Sequence, residues 1–192
     1  MIDKILTLLQ SIDQETASFC RTTGLSCKPG CGACCENPHI ETTVTELLPL
    51  AQWLLKEKKA DDVLAKARHW PANSPCLFFN QDVSGSGKGS CSVYMYRPGI
   101  CRHFGFTARK NSQGKKELVT CKIIKAMDPD KVKKTQALLD QDAVSPLISE
   151  HTYQVMAIDP TLGKELLPMN MAVIKAIEKI GLTEQFSPTE KS

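Results

Sequence analysis

Residues 27 to 35 read CKPGCGACC, so four cysteines fall within nine positions and the last two are adjacent. This loop constrains the fold more than any other feature of the chain, because thiols at such density are either crosslinked or bind a metal ion. In the first case the cysteines form disulfide bonds that stabilise the fold. In the second case the rest of the chain must fold so that sulfur atoms converge on one point.

Disulfide bonds are the weaker interpretation. The chain has nine cysteines, an odd number, so complete intrachain pairing would leave one thiol over. A hydrophobic content of 42% is ordinary for a globular chain of 192 residues, which therefore needs no staples to fold. The first segment, MIDKILTLLQSIDQ, lacks the features of a secretory signal, and no apolar run is long enough to cross a bilayer. We expect a cytoplasmic protein with reduced thiols and no membrane insertion.

The spacing of the loop cysteines favours metal binding. Three residues separate Cys27 from Cys31, two separate Cys31 from Cys34, and Cys35 follows directly. Thiolates are soft ligands that select zinc, copper(I) or iron–sulfur clusters. If the step from Cys34 to Cys35 is extended, the two side chains point to opposite sides. They would then serve two ions, or opposite sides of one polynuclear centre.

Four more cysteines are placed where the chain can turn towards this loop. They lie in or beside loops and strand ends, at Cys76, Cys91, Cys101 and Cys121. The ninth, Cys20, lies close to the apolar face of the first helix, and we interpret it as a small core residue. Eight thiolates equal two four-sulfur sites, but this count alone leaves one or two metal centres open.

Helical periodicity, caps and breakers predict the remaining elements. Apolar residues predict a helix from Ile2 to about Cys20, broken by Gly24, and Thr43 and Glu46 have the spacing of a capping box that opens a helix through Leu55. Further helices are expected at 61–69, 130–139 and 171–180, the last ended by Gly181. Two strands are expected at 76–79 and 91–96, around a glycine- and serine-rich linker at 83–90.

These elements predict an α+β fold that is mainly helical, with a small irregular antiparallel sheet. Its cysteine-rich loops would gather around one or two metal centres. We expect residues 1–24 to form an N-terminal helix packing on the core, 25–127 a cysteine-cluster metal-binding domain, and 128–192 a helical C-terminal extension of the same domain.

Positive charge is concentrated beside the later cysteines. From Arg97 to Lys134 there are eleven Lys or Arg residues and three acids. Such a stretch is compatible with nucleic acid, with a solvated surface, or with an anionic metal–thiolate centre. Arg97 and Arg102 flank Cys101 and would offset the charge of such a centre, so we favour the last reading locally and expect no nucleic acid partner.

Several separated blocks together resemble the CxxCxxCC cysteine-cluster family, which is described as a zinc- or iron-chelating domain. The blocks are CKPGCGACC, the helix start at Thr45 and Glu46, PCLFF, CSVYMYRPGICRHF and TCK, over roughly residues 25 to 125. The resemblance implies zinc or iron as the cofactor, iron–sulfur included. It implies that the ligands are Cys27, Cys31, Cys34, Cys35, Cys76, Cys91, Cys101 and Cys121, and that Tyr94, Arg97, Pro98, Arg102 and Glu46 match family positions near the site.

Three functions are compatible with this pattern. The first is a metal-binding or iron–sulfur module without turnover, which acts on an unknown protein partner or acceptor. The second is an iron–sulfur enzyme, because the spacing at Cys27 to Cys34 is found in radical S-adenosylmethionine enzymes and flagellin lysine methylase has a similar cysteine block. Ala33 stands where that fold usually has an aromatic residue. The third is a structural zinc adaptor.

Four further residues could contribute to the site. His103 and His39 are candidate extra ligands, although most histidines in such positions have ordinary roles. Glu46 has a sufficient role as the capping-box acid and is alternatively a ligand or a hydrogen-bond acceptor beside the ligands. Tyr94 alternates with Val93 and Met95 in the expected strand, which predicts that its ring packs in the core with its hydroxyl near the site.

Overall fold

A computed structural model of the protein describes residues 1–28, 30–71, 73–81 and 89–186. The expected class, α+β and mainly helical, is confirmed. The helices are α1 (Ile2–Thr23), α2 (Ala33–Glu36), α3 (Val44–Lys56), α4 (Ala60–Arg68), α5 (Gly99–His103), α6 (Lys122–Met127), α7 (Pro129–Asp140), α8 (Ile148–Ile158) and α9 (Met169–Phe186). The strands are β1 (Glu41–Thr42), β2 (Phe79–Gln81), β3 (Gly89–Cys91), β4 (Thr107–Lys110), β5 (Lys116–Val119) and β6 (Leu167–Pro168).

The expected small sheet is divided into three. Each described sheet has two antiparallel strands, and the pairs are β1 with β6, β2 with β3, and β4 with β5. In the second pair, Phe79 lies opposite Cys91 and Gln81 lies opposite Gly89. The linker expected at 83–90 therefore ends within β3, while residues 82–88 lie outside the described part of the chain.

Local signals set the ends of two long helices. Gly24 ends α1 in the left-handed conformation, with φ of 69°, and its backbone N–H donates to the Cys20 carbonyl. At the start of α3, the Thr43 side chain accepts from the Glu46 backbone N–H, and the Glu46 side chain accepts from the Thr43 backbone N–H. This is the capping box that the sequence predicts.

Helices α1, α3 and α9 form the main hydrophobic core. Every residue of α3 from Val44 to Ala51 is buried, and α9 packs against it through small residues, including the fully buried Ala172 and Ala176. Each leucine or isoleucine buried in this way contributes about 1.5–3 kcal/mol relative to exposure. A smaller cluster, which includes Phe19, Ile124 and Leu147, joins the end of α1 to β4, α6 and α7.

Three secondary-structure predictions need correction. The expected strand at 91–96 is wrong beyond Cys91, because Tyr94–Tyr96 form a 3₁₀ turn. The strand expected at 76–79 begins only at Phe79, and Cys76 to Phe78 form a turn before it. Gly181 does not end α9, which continues to Phe186, because a glycine inside a helix costs only about 1 kcal/mol relative to alanine. Helix α8 and the β4–β5 hairpin were not predicted.

Within the described ranges, none of the helices has both the length and the apolar character required to span a membrane.

Candidate metal centre

The dense cysteine loop is held in a compact turn by its glycines. Gly30 has a φ of 71°, a conformation that disfavours other residues. At Gly32 an added Cβ would lie 2.3 Å from the Phe79 ring, so this backbone passes directly against β2. Helix α2 then begins at Ala33 and carries Cys34 and Cys35. The loop can follow this path only because both glycines lack side chains.

Backbone hydrogen bonds tie the loop to the β2–β3 hairpin. The Cys76 N–H donates to the Cys35 carbonyl at 2.7 Å, and the Gly89 N–H donates to the Gly30 carbonyl at 3.0 Å. Cys76 stands three residues before β2, and Cys91 ends β3. The hairpin therefore brings two distant cysteines to the loop.

Seven of the nine cysteines line one cavity of about 380 Å³, which we call the cysteine cavity. They come from the loop, the hairpin and α5, and they are Cys27, Cys31, Cys34, Cys35, Cys76, Cys91 and Cys101. Apolar side chains, including Leu47, Leu50 and Met169, form the rest of the wall. Cys20 is half-buried on α1 and is not among the lining residues. Sulfur atoms that are far apart in sequence thus face a common space.

Cys121 lies outside the cysteine cavity but electrostatically close to its loop. It is the N-cap residue of α6, where its Sγ accepts from the Ile124 backbone N–H at 3.4 Å. Burial, together with the neighbouring thiols of Cys31, Cys121 and Cys34, raises the pKa of Cys27 to about 11. Cys121 is therefore close enough to Cys27 to form a second group with the front of the loop.

Cys34 and Cys35 do not point to opposite sides. They occupy successive positions of a short helix, and their Sγ atoms are 4.0 Å apart. The extended geometry that would have sent them to two different ions is therefore absent at this step. Both thiols belong to one group, which also contains Cys76, Cys91 and Cys101.

Interactions between neighbouring thiols shift their pKa values in opposite directions. A hydrogen bond from Cys35 lowers the pKa of Cys34 to about 6, helped by the Arg97 charge. A hydrogen bond from Cys35 likewise lowers the pKa of Cys91 to about 7. The interactions with Cys34 and Cys91 raise the pKa of Cys35. The group can therefore carry thiolates at neutral pH, which are the form that binds metal.

Burial opposes ionisation of the deeper thiols. Desolvation raises the pKa of Cys76 to about 11. Desolvation also raises the pKa of Cys101, and the nearby Cys76, Cys34 and Cys91 add to the effect. Thiols that repel one another as anions in a desolvated cavity lose their protons together only if a cation replaces them. The donor set thus fits a positively charged metal ion.

The two arginines of the RPGICRHF block have different surroundings. Arg97 lines the cysteine cavity, its guanidinium lies 3.5 Å from the Tyr94 ring centroid, and its charge lowers the pKa of Cys34 and Cys91. Arg102 is buried and donates to Asp13 of α1 and to the Arg97 and Met95 carbonyls. Arg102 therefore holds the chain between β3 and α5 in place and is not among the residues that line the cavity.

Tyr94 does not lie where the sequence predicts, whereas Glu46 has its predicted capping-box role and lies outside the lining of the cysteine cavity. Tyr94 lines the cysteine cavity but is 58% exposed, because the 3₁₀ turn replaces the strand that would have turned its ring into the core. Glu46 is buried and lines a second cavity, together with His39 and His103. Neither histidine lines the cysteine cavity, so neither is placed to join the thiols.

Sequence reasoning missed two residues that shape the site. Asp13 pairs with Arg102, and His151 of α8 is hydrogen-bonded to Glu46 at 3.0 Å. Neither residue lies in the cysteine blocks, and no motif in the neighbouring sequence marks it. Only the tertiary packing of α1 and α8 reveals these two residues. In the described part of the chain, no three Cys, His, Asp or Glu side chains are yet close enough together to hold one ion.

A fold that directs seven thiols into one cavity is typical of cysteine-rich domains that bind soft or borderline metal ions. The chain belongs to the CxxCxxCC family, described as "Putative zinc- or iron-chelating domain", whose sequence profile matches residues 26–122. The match covers just over half of the chain and confirms the resemblance seen in its sequence. No curated protein and no solved structure gave a match to the chain.

Proposed function

We propose that the protein binds zinc or iron through eight cysteine thiolates. The observation that carries this proposal is the convergence of seven thiols from three separate segments on one cavity. The ligands would be Cys27, Cys31, Cys34, Cys35, Cys76, Cys91, Cys101 and Cys121. Bound metal would replace the thiol protons and crosslink the loop, the hairpin, α5 and α6.

The electrostatic neighbourhoods support two ligand groups. Cys27, Cys31 and Cys121 are one group, because the latter two thiols both raise the pKa of Cys27. Cys34, Cys35, Cys76, Cys91 and Cys101 are the other, because these five influence one another. Cys34 also acts on Cys27, so it is the residue through which the two groups meet. Binding would require the loop to move inwards, since no three side chains among the described residues are close enough for one ion.

A polynuclear iron–sulfur centre is the second candidate. A cavity of about 380 Å³ has far more space than one tetrahedral ion requires, and Arg97 places positive charge beside it. An anionic cluster would be stabilised by that charge. The apolar wall would shield such a cluster from water. Catalysis at such a centre, including methyl transfer to protein lysine, would need an open coordination position and a substrate site.

We also propose a cytoplasmic location and a single metal-binding domain flanked by helical segments. Thiolate centres of this kind persist where cysteines stay reduced, so we place the protein in the cytoplasm. Residues 25–127 would form the metal-binding domain, with 1–24 and 128–192 as its helical supports. A protein partner or acceptor would receive or supply the metal.

Elemental analysis of anaerobically purified protein tests the proposal. We expect zinc at one or two equivalents per chain, or, if the centre is iron–sulfur, at least two equivalents of iron with broad visible absorption. The variants Cys34→Ser and Cys35→Ser should each lose metal, while Cys20→Ser should retain it because Cys20 is not among the cavity-lining residues. Equal metal content in all three variants would contradict the assignment.

A further inference from the structure

A second cavity, of about 320 Å³, contains imidazole rings and no cysteine. We call it the histidine cavity and define it by His103 of α5, His151 of α8 and Glu46 of α3. It adjoins the cysteine cavity, since Ile40 lines both. The metal-binding function proposed above uses none of the three defining residues.

Both histidines carry buried nitrogens without a hydrogen-bond partner. His103 is 2% exposed, and neither its Nδ1 nor its Nε2 has a partner; in His151 the Nδ1 lacks one. These are three of the seven buried side-chain N or O atoms without a partner in the described part of the chain, and the other four are hydroxyls. An unsatisfied buried polar group costs about 1–3 kcal/mol. Such a concentration in two adjacent rings therefore needs a physical reason.

Glu46 fixes the tautomer of His151. Its carboxylate accepts from His151 Nε2 at 3.0 Å and from the Gly99 backbone N–H at 2.8 Å, and its other oxygen accepts from Thr42 and Thr43. Because a carboxylate only accepts, Nε2 carries the proton, and Nδ1 is the nitrogen that remains to bind an ion. A carboxylate that orients a histidine in this way is the usual support of a metal-binding imidazole.

The separation of the two rings suits one shared ion. Their centroids are 5.3 Å apart and their planes are inclined at 79°, which is an edge-to-face contact in the absence of an ion. Two imidazoles on one tetrahedral ion, with metal–nitrogen bonds of about 2.0–2.1 Å, have centroids about 5 Å apart. An ion between them would be bound by His151 Nδ1 and by the unprotonated nitrogen of His103, and it would add positive charge near the buried Glu46 carboxylate.

We propose that the histidine cavity is a second metal site, which takes one divalent ion of the imidazole-preferring class through His103 and His151. Zinc, nickel and cobalt belong to this class. Water would complete the coordination sphere, together with His39 where it reaches the ion, since His39 lines the same cavity. Glu46 is the positioning residue for His151. Because Glu46 also accepts from the Gly99 N–H at the start of α5, the ion would stabilise the helix that carries Cys101.

Anaerobic titration of the full-length protein with Co²⁺ tests this site. Thiolate-bound Co²⁺ has strong sulfur-to-metal charge-transfer absorption in the near ultraviolet, whereas imidazole-bound Co²⁺ does not. We expect one equivalent of Co²⁺ per chain without that absorption, bound at least tenfold more weakly in His103→Gln and in His151→Gln. His69→Gln is the matched control, because His69 is an exposed histidine at the end of α4, and it should bind as the wild type does.

The two metal proposals fail in different ways in this titration. The histidine site is refuted if every bound Co²⁺ shows the thiolate absorption. It is also refuted if a folded His103→Gln variant still binds one equivalent of Co²⁺ without that absorption. If no thiolate absorption appears, the cysteine site is refuted instead. Long-range ¹H–¹⁵N NMR of the wild type is independent of variant folding: added Zn²⁺ should shift His151 Nδ1, and an unchanged signal would overturn the proposal.

Discussion

Replacement of Glu46 by Gln should destabilise the fold in a pH-dependent manner. Burial alone would raise the pKa of Glu46, but the hydrogen bonds from His151, Thr43 and Gly99, with the charge that His151 carries when it is protonated, outweigh burial and lower it from 4.5 to about 2. Because one pKa unit corresponds to about 1.4 kcal/mol, the charged form contributes about 3 kcal/mol to the free energy of unfolding.

The direction of the pH dependence follows from the lowered pKa. Stability from Glu46 is fully present above the unfolded pKa of about 4.5 and is lost as the pH falls through the folded value of about 2. At pH 7 the Glu46→Gln variant should therefore unfold about 3 kcal/mol more easily than the wild type. Towards pH 2 the two proteins should converge, because the wild-type carboxyl is then protonated as well.

Urea unfolding of both proteins between pH 2 and pH 7 measures this difference. Both proteins are measured after removal of metal with a chelator, because Glu46→Gln would itself change metal binding through His151. Glu117→Gln is the control, because Glu117 pairs with Arg109 on the surface and its loss should change stability little at any pH. A Glu46→Gln deficit of the same size at pH 3 and pH 7, or no deficit at pH 7, would refute the argument.

Three further substitutions probe the loop, the last helix and the α1 contact. Gly32→Ala should lower the metal content in elemental analysis at least severalfold, because its Cβ would lie 2.3 Å from Phe79 and displace the loop. An unchanged metal content would contradict this prediction. Gly181→Ala should stabilise the protein by up to about 1 kcal/mol in thermal unfolding, since its Cβ meets nothing within 4 Å in a helix; a loss would contradict the packing. Arg102→Gln should lower the free energy of unfolding in urea by about 3 kcal/mol, because it leaves the Arg97 and Met95 carbonyls without their charged donor. An unchanged free energy of unfolding would show that Arg102 does not stabilise this segment.

The elements that the sequence predicts well carry their signals locally. The end of α1 requires only Gly24 in the left-handed conformation, and the start of α3 requires only the reciprocal bonds between Thr43 and Glu46. Such contacts form within a few residues of sequence. They therefore appear in the pattern regardless of what packs around them.

The segment after Cys91 was mispredicted because its structure depends on distant partners. A run of β-branched and aromatic residues favours a strand. In the fold, Tyr96 stacks on Trp53 of α3 with ring centroids 5.2 Å apart, and Arg102 donates to the Met95 carbonyl. These tertiary contacts support a tight turn where propensity alone predicts an extended chain.

The two cavities differ in how far the sequence reveals them. The candidate thiol ligands of the cysteine cavity can be identified from the sequence, because cysteines at this density usually bind metal or form disulfide bonds. The histidine cavity is assembled from α3, α5 and α8, and its histidines are separated by 48 positions, from His103 to His151. No spacing rule relates them, and α8 itself was not predicted.

X-ray absorption at the metal edge is the most direct test of the central claim, that distant thiolates bind one metal. On anaerobically purified protein, the account predicts a first coordination sphere dominated by sulfur, at about 2.3 Å for zinc. It also predicts that the sulfur count per metal falls in a Cys101→Ser variant, which removes the α5 thiol. A coordination sphere of nitrogen and oxygen alone would contradict the claim.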